Sequence, residues 1–251
     1  FVNALSEGDG SNDILTKART YFAQSKIYYY LCEWDNFIET SIGAASYFQE
    51  AGAYNSYANC VVGIINGYTL KDDPENAKLY INECKRMLSS INSDRLAYFY
   101  SAYLVYVTKY GSKQEISSLI DEYKNAVPVT NIDWLTLANA YIKLGQCEDA
   151  LQAIEQYKYS ANTSEEKKYK ALKSKIYERL GRYEESLRAY KEYMIVSDST
   201  TWAIMQQDTK FVEERHNLEM AKAKETEAKN KRTIAIMACV IALIGSLLVI
   251  M

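Results

Sequence analysis

The sequence predicts an all-α protein whose helices follow one another as antiparallel pairs. Only 2 Pro and 10 Gly occur among 251 residues, so few positions would interrupt a helix. Apolar residues recur at the spacing of one helical face along most of the chain, and no two segments alternate apolar with polar residues as paired strands do. A body of stacked helices is therefore expected.

The elements follow in order from this periodicity. Residues 1–11 are small, polar and glycine-bearing and predict a flexible lead-in, before a folded body over residues 12–197. Asp73 and Pro74 supply a cap and a first-turn proline for the fourth helix. Residues 103–110 favour a strand when taken alone, but they have no partner strand and are expected to be helical. Ten helices are predicted, at about residues 12–31, 36–49, 54–68, 75–90, 94–110, 114–126, 132–144, 147–160, 165–180 and 183–196.

The composition argues against several classes of function. A net charge of -3 does not suit nucleic-acid binding. The cysteines are scattered and none is in a CxxC spacing, so neither a zinc site nor a disulfide framework is expected. The single histidine, His216, lies among charged residues and is expected at the surface. Since no nucleophile elbow, phosphate loop or glycine-rich fingerprint occurs, the sequence predicts neither an enzyme nor a cofactor.

An internal repeat organises the helical body. The pairs Tyr110-Gly111 and Leu144-Gly145 are 34 residues apart, and Leu180-Gly181 follows 36 residues later. One unit matches the pattern W-x2-L-G-x2-Y…A-x3-F through Trp134, Leu137, Ala138, Tyr141, Leu144, Gly145, Ala150 and Ile154, and the next repeats it through Tyr177, Leu180, Gly181, Tyr183, Ser186 and Tyr190. Small residues at Ala138 and Ala150 would let two helices approach closely.

On these residues the chain resembles the tetratricopeptide repeat (TPR) family, most closely over residues 131–197. The resemblance implies a right-handed α-solenoid of about five helical hairpins that binds a protein or peptide in its concave groove. Two departures stand out in the first units. Cys32 replaces the turn glycine of the first unit, and 44 residues separate Gly67 from Gly111, which predicts a longer turn or longer helices in the second.

Two sets of residues are candidates for partner binding. Asn139 and Lys143 lie one turn apart on one first helix, and Lys175 and Arg179 lie one turn apart on the next. In the family these helices line the groove, where amide and basic side chains can bind carboxylates. The second set is the tyrosine-rich segment 98–110, with Tyr103 and Tyr106, for which packing between repeats is the alternative.

The end of the chain predicts a membrane anchor. Residues 233–251 contain no charge, no Pro and no amide side chain, and such a helix is long enough to cross a hydrocarbon layer about 30 Å thick. Residues 198–232 predict a capping or stalk helix. Trp202, Met205 and Phe211 would cap the last repeat, whereas the seven-residue spacing of Ile204, Phe211 and Leu218 would allow a homodimeric coiled coil.

The order of repeats, charged helix and single span also resembles bacterial membrane-anchored TPR sensory regulators. This resemblance implies periplasmic repeats that signal through the span to an output domain. The basic residues beside the span, Lys222, Lys224, Lys229, Lys231 and Arg232, favour the opposite orientation by the positive-inside rule. A tail-anchored cytoplasmic adaptor and an envelope assembly scaffold are the alternatives.

Overall fold

The computed structural model describes residues 13–159, 164–198, 224, 226, 227, 229, 231 and 232. The predicted lead-in and membrane segment, residues 1–11 and 233–251, lie outside the described residues, as do Trp202, Met205, Phe211 and His216. The described residues fall into two compact units. The first holds those of Phe1–Ala161 and Glu165–Tyr193, and the second those of Asn162–Ser164 and Met194–Met251.

All regular secondary structure in the described residues is helical, as predicted. The helices are α1 (Ile14–Tyr30), α2 (Trp34–Glu50), α3 (Tyr54–Leu70), α4 (Pro74–Arg86), α5 (Ser93–Tyr110), α6 (Lys113–Ala126), α7 (Trp134–Leu144), α8 (Cys147–Glu155), α9 (Ser164–Arg179) and α10 (residues 183–198). The described parts of residues 13–198 thus contain ten helices, the number that the sequence predicts. The described helices include none that is both long and apolar enough to cross a bilayer.

Side-chain caps set several helix starts. Asp73 accepts a hydrogen bond of 3.1 Å from the backbone N–H of Asn76, and Pro74 occupies the first turn, as the sequence predicts. Ser112 and Glu115 form a reciprocal capping box at α6, with bonds of 3.2 and 2.7 Å. Two predicted ends are corrected. Helix α4 stops at Arg86, and the residues expected to extend it form a 3-10 turn over Leu88–Ser90. Helix α8 stops at Glu155, and residues 157–159, which were expected to extend it, have no regular structure.

Cys32 occupies the turn of the first hairpin, as the sequence predicts, but Gly67 does not occupy the turn of the second. Helices α1, α2 and α3 each have 17 residues and are followed by three-residue turns. The left-handed residues in these turns are Cys32 (φ 56), Gly52 (φ 67) and Asp72 (φ 58). Two of the three are therefore not glycine, although a side chain makes this conformation costly.

Gly67 is not a turn residue. It lies within α3, and a Cβ added there would be 2.7 Å from Cγ1 of Ile38 on α2, so this glycine permits close approach of two helices. Gly111 caps α5 with φ -87 and ψ 170, which is extended backbone. The 44-residue spacing between these glycines therefore does not connect equivalent turns, and the turn of the second hairpin is at Asp72 instead.

Contacts with α5 hold the Asp72 turn in place. Lys109 Nζ forms a 2.6 Å ion pair with Asp72 and donates a 2.8 Å hydrogen bond to the carbonyl of Thr69. The Tyr110 hydroxyl donates to Asp72 Oδ1 at 3.0 Å. The turn between α3 and α4 is thus joined to the next hairpin by side chains, which offsets the strain of a non-glycine residue there.

The core is continuous through the hairpins of the first unit. Ala138 and Ala150 have no exposed surface, and Leu137 and Ile154 are buried beside them, as the repeat pattern predicts. The first helices of successive hairpins also pack on one another, α3 against α5 and α5 against α7. The first four hairpins therefore bury their apolar faces against one another, which is how repeat proteins obtain a core.

Candidate functional site

A groove runs over the first helices of the last three hairpins, α5, α7 and α9. It consists of two adjoining depressions of about 700 and about 260 Å³. Asn139 and Lys175 line both depressions, so their surfaces are continuous. We call the whole feature the inner groove and its smaller part the small depression.

The small depression contains four of the residues predicted to bind a partner. Helix α7 contributes Asn139 and Lys143, which are separated by one turn, and α9 contributes Lys175 and Arg179. Side chains four residues apart share one helical face, so each helix presents its pair to the same space. The structure therefore brings these four residues together, and their role in binding stays a prediction.

The basic side chains of the inner groove have no acidic partners among the residues that the structure describes. Lys143, Lys168, Lys175 and Arg179 are all exposed, and none forms an ion pair with any residue in the described parts of the chain. Lys168 lines the larger depression on the same helix as Lys175 and Arg179. Four positive charges thus remain available to an anionic ligand.

The first of two carboxylates in the larger depression is already bound within the fold. Asp133 caps α7 by accepting from the backbone N–H of Thr136 at 3.1 Å, and it accepts further bonds of 2.7 Å from the hydroxyls of Ser101 and Thr136. Its own backbone N–H donates to the buried hydroxyl of Tyr123 at 2.8 Å. Asp133 therefore holds α7 against α5 and forms no ion pair with the groove cations.

The second carboxylate, that of Glu165, interacts with Tyr157. Desolvation, together with the Glu165 charge and hydrogen bond, raises the pKa of the Tyr157 hydroxyl to about 12. The Tyr157 ring also stacks on Tyr169, with centroids 6.3 Å apart. Both groove carboxylates thus have partners inside the protein, whereas the four cations have none among the described residues.

Thr108 of α5 lines the small depression and has an unused hydroxyl. Its Oγ1 atom is buried and has no hydrogen-bond partner among the described residues. Sequence reasoning missed Thr108, because it lies in the β-branched and aromatic segment 103–110 and carries no signal of its own. Lys168 could have been found, since it lies two helical turns before Lys175.

Tyr103 and Tyr106 are not brought together with the other candidates. Lys85 of α4 donates a 2.9 Å hydrogen bond to the Tyr103 hydroxyl and lies 4.3 Å from its ring centroid. The Tyr106 hydroxyl donates to the carbonyl of Pro74, also on α4, at 3.3 Å. Both rings pack between hairpins. Tyr98 of the same segment is instead 55% exposed and lines the larger depression.

The comparisons with known proteins concern the fold. Two crystal structures of nearly identical TPR-like repeats, from a protein of Podosopora anserina assigned as a kinesin light chain, match this chain at 13% sequence identity. The first has a TM-score of 0.53 and the second, a single-residue variant, 0.54, and each match covers 76% of this chain and 99% of the other. No family model matches the sequence, and no curated protein matches it either. The chain therefore has a TPR-like fold.

Proposed function

We propose that the protein is a non-enzymatic module that binds an acidic protein or peptide segment in the inner groove. One observation carries the proposal: four exposed cations line the groove without acidic partners in the described residues, while both carboxylates of the larger depression are engaged. Because the whole chain has a net charge of -3, the positive groove contrasts with the rest of the protein and would attract anionic segments.

A selection experiment tests this function. The full chain in detergent micelles would be used to select from a random decapeptide library, and Asp and Glu should be enriched over the starting pool. Lys175→Glu with Arg179→Glu should remove the enrichment and leave helical content unchanged, because exposed substitutions shift stability by about 0.5 kcal/mol or less. Binding of the selected peptides to the unmodified protein should weaken with salt.

The matched control changes two cations outside the groove. Arg188 and Lys191 are exposed on α10 and line neither depression, so Arg188→Glu with Lys191→Glu makes the same change in net charge. The control should select the same acidic peptides as the unmodified protein. If the groove variant also selects them, the groove residues do not form the binding site.

We further propose that residues 233–251 anchor this module in a lipid bilayer, with residues 198–232 as a capping or stalk helix. The support is the uncharged composition of the last nineteen residues and the basic residues before them. On this proposal the module is the periplasmic sensing part of a bacterial signalling protein. A cytoplasmic adaptor and an envelope scaffold remain alternatives, and a dimeric mass in detergent by light scattering would support a coiled-coil stalk.

A further inference from the structure

We propose that the small depression binds a phosphoryl group, so that the partner is a phosphorylated peptide. The inference rests on the proposed peptide-binding function and adds the chemistry of the ligand. It is drawn from the charge, the hydrogen-bond donors and the size of the depression, which is lined by Thr108, Asn139, Ile142, Lys143, Lys175 and Arg179.

The charge of the small depression exceeds what one carboxylate would neutralise. Lys143, Lys175 and Arg179 contribute three positive charges, and no acidic side chain belongs to its described lining. A carboxylate carries a single negative charge, whereas a phosphoserine carries about -1.5 to -2 at neutral pH. Three cations around one group therefore match a phosphoryl better than a single Asp or Glu.

The donors also suit a group with three terminal oxygens. The planar guanidinium of Arg179 can bind two oxygens at once, and the two ammonium groups act as point charges. The buried Thr108 hydroxyl has no partner in the described chain and would gain one from a bound oxygen. Asn139 Nδ2 donates one hydrogen to the carbonyl of Leu135 at 3.0 Å, which leaves its second hydrogen available.

The size of the two depressions favours a peptide over a free ion. The small depression, at about 260 Å³, has room for one side-chain head group. It opens into the larger depression of about 700 Å³, where the exposed ring of Tyr98 and the apolar side chain of Leu135 can contact flanking residues. A phosphorylated side chain would thus occupy one part and its neighbours the other.

Three labelled peptide libraries test the proposal. They are degenerate at the flanking positions and carry phosphoserine, a Glu-Glu pair or serine at the centre. With the full chain in detergent micelles, fluorescence anisotropy should show at least tenfold tighter binding of the phosphoserine library than of the Glu-Glu library. Inorganic phosphate should compete only at concentrations far above that of the phosphopeptides.

Variants of Thr108 separate a direct contact from a general charge effect. Thr108→Val keeps the shape and removes the hydroxyl, so it should reduce the preference for phosphoserine over Glu-Glu by about threefold or more, while Thr108→Ser should retain it. Binding of the Glu-Glu library should hardly change in either variant.

The contrary outcomes are distinct. Equal binding of the phosphoserine and Glu-Glu libraries would overturn the phosphoryl site and leave the acidic-peptide function standing. If inorganic phosphate displaces the phosphopeptides at a concentration similar to theirs, the small depression binds free anions, and the assignment of a phosphorylated peptide as its ligand is overturned. If Thr108→Val leaves the preference unchanged, the assigned donor is wrong. Absence of binding by every library would instead contradict the proposed function itself.

Discussion

At the scale of single residues, small side chains at helix contacts decide how closely the helices pack. Gly67 and Gly63 both lie in α3, but an added Cβ would be 2.7 Å from Ile38 Cγ1 at Gly67 and 3.4 Å from Phe37 Cζ at Gly63. The first distance requires a neighbour to move and the second is ordinary contact. Two glycines of one helix therefore have different structural importance.

This difference predicts opposite effects of the same substitution. Gly67→Ala should lower the free energy of unfolding by about 1 kcal/mol, because overpacking exceeds the gain in helix propensity. Gly63→Ala should leave it unchanged or raise it by up to about 1 kcal/mol. Urea unfolding followed by circular dichroism would measure both, and equal effects would mean that α2 and α3 are not in close contact at Gly67.

A second residue-scale prediction concerns the fourth hairpin. Ala138 has no exposed surface, and its place in the repeat pattern lies where facing helices are closest. Ala138→Leu should therefore destabilise the protein by about 1 to 3 kcal/mol through overpacking. Thermal unfolding would measure the change. An unaltered midpoint would show that the repeat register assigned to this hairpin is incorrect.

At the scale of elements, carboxylates at helix starts fix where helices begin. The pKa of Asp13 is lowered chiefly by the hydrogen bond that the Thr16 side chain donates to it. The pKa of Asp73 is lowered chiefly by the hydrogen bond that the Asn76 side chain donates to it. The backbone hydrogen bond from Ser112 lowers the pKa of Glu115 in the capping box. Each carboxylate is thus more acidic in the folded protein than its ordinary values of 3.8 for Asp and 4.5 for Glu.

These shifts predict a loss of stability in acid. A folded-state pKa below the unfolded value stabilises the protein above the unfolded pKa, and the contribution disappears as pH falls through the folded pKa. For Glu115 the loss begins near pH 4.5 and continues below it. Glu115→Gln should therefore lose less stability than the unmodified protein between about pH 6 and about pH 3, because its amide does not titrate.

Urea midpoints at several pH values would measure this difference. Glu39→Gln is the control, because Glu39 is exposed in the middle of α2 and has no capping role. The control should follow the unmodified protein through the acid range. Identical pH dependence of the Glu115 variant and the control would mean that the capping box contributes no pH-dependent stability.

At the scale of the whole molecule, orientation relative to the membrane separates the sensor from the adaptor. Periplasmic repeats would place Ser6 outside the inner membrane, so a cysteine there should react with a membrane-impermeant thiol reagent in intact bacterial cells. Cys32 is exposed and would react as well, so the experiment uses a Cys32→Gly background, in which glycine suits the left-handed backbone. Mass spectrometry of the purified protein would count the labels.

The background variant without the new cysteine serves as the control, and its label count includes any reaction of the partly exposed Cys147, so Ser6→Cys should add one label to it. Labelling of Ser6→Cys only after lysis would reverse the orientation and favour the cytoplasmic adaptor. The peptide-binding proposal would be unaffected, because it depends on the inner groove alone.

The sequence by itself predicted the helices and most of the small depression, because both depend on local relations. Helical periodicity and caps such as Asp73 act within a few residues, so the ten helices could be located without tertiary information. Asn139 with Lys143, and Lys175 with Arg179, share helix faces for the same reason.

Only the tertiary structure decided the turn register and the other groove residues. Gly67 resembles a turn glycine in sequence, but its neighbour Ile38 is in another helix, and Asp72 takes the turn because Lys109 and Tyr110 of α5 hold it. Packing of α5 on α4 likewise places Tyr103 between two hairpins, whereas Thr108 of the same helix lines the small depression. These relations depend on contacts between residues distant in sequence, which helical periodicity does not encode.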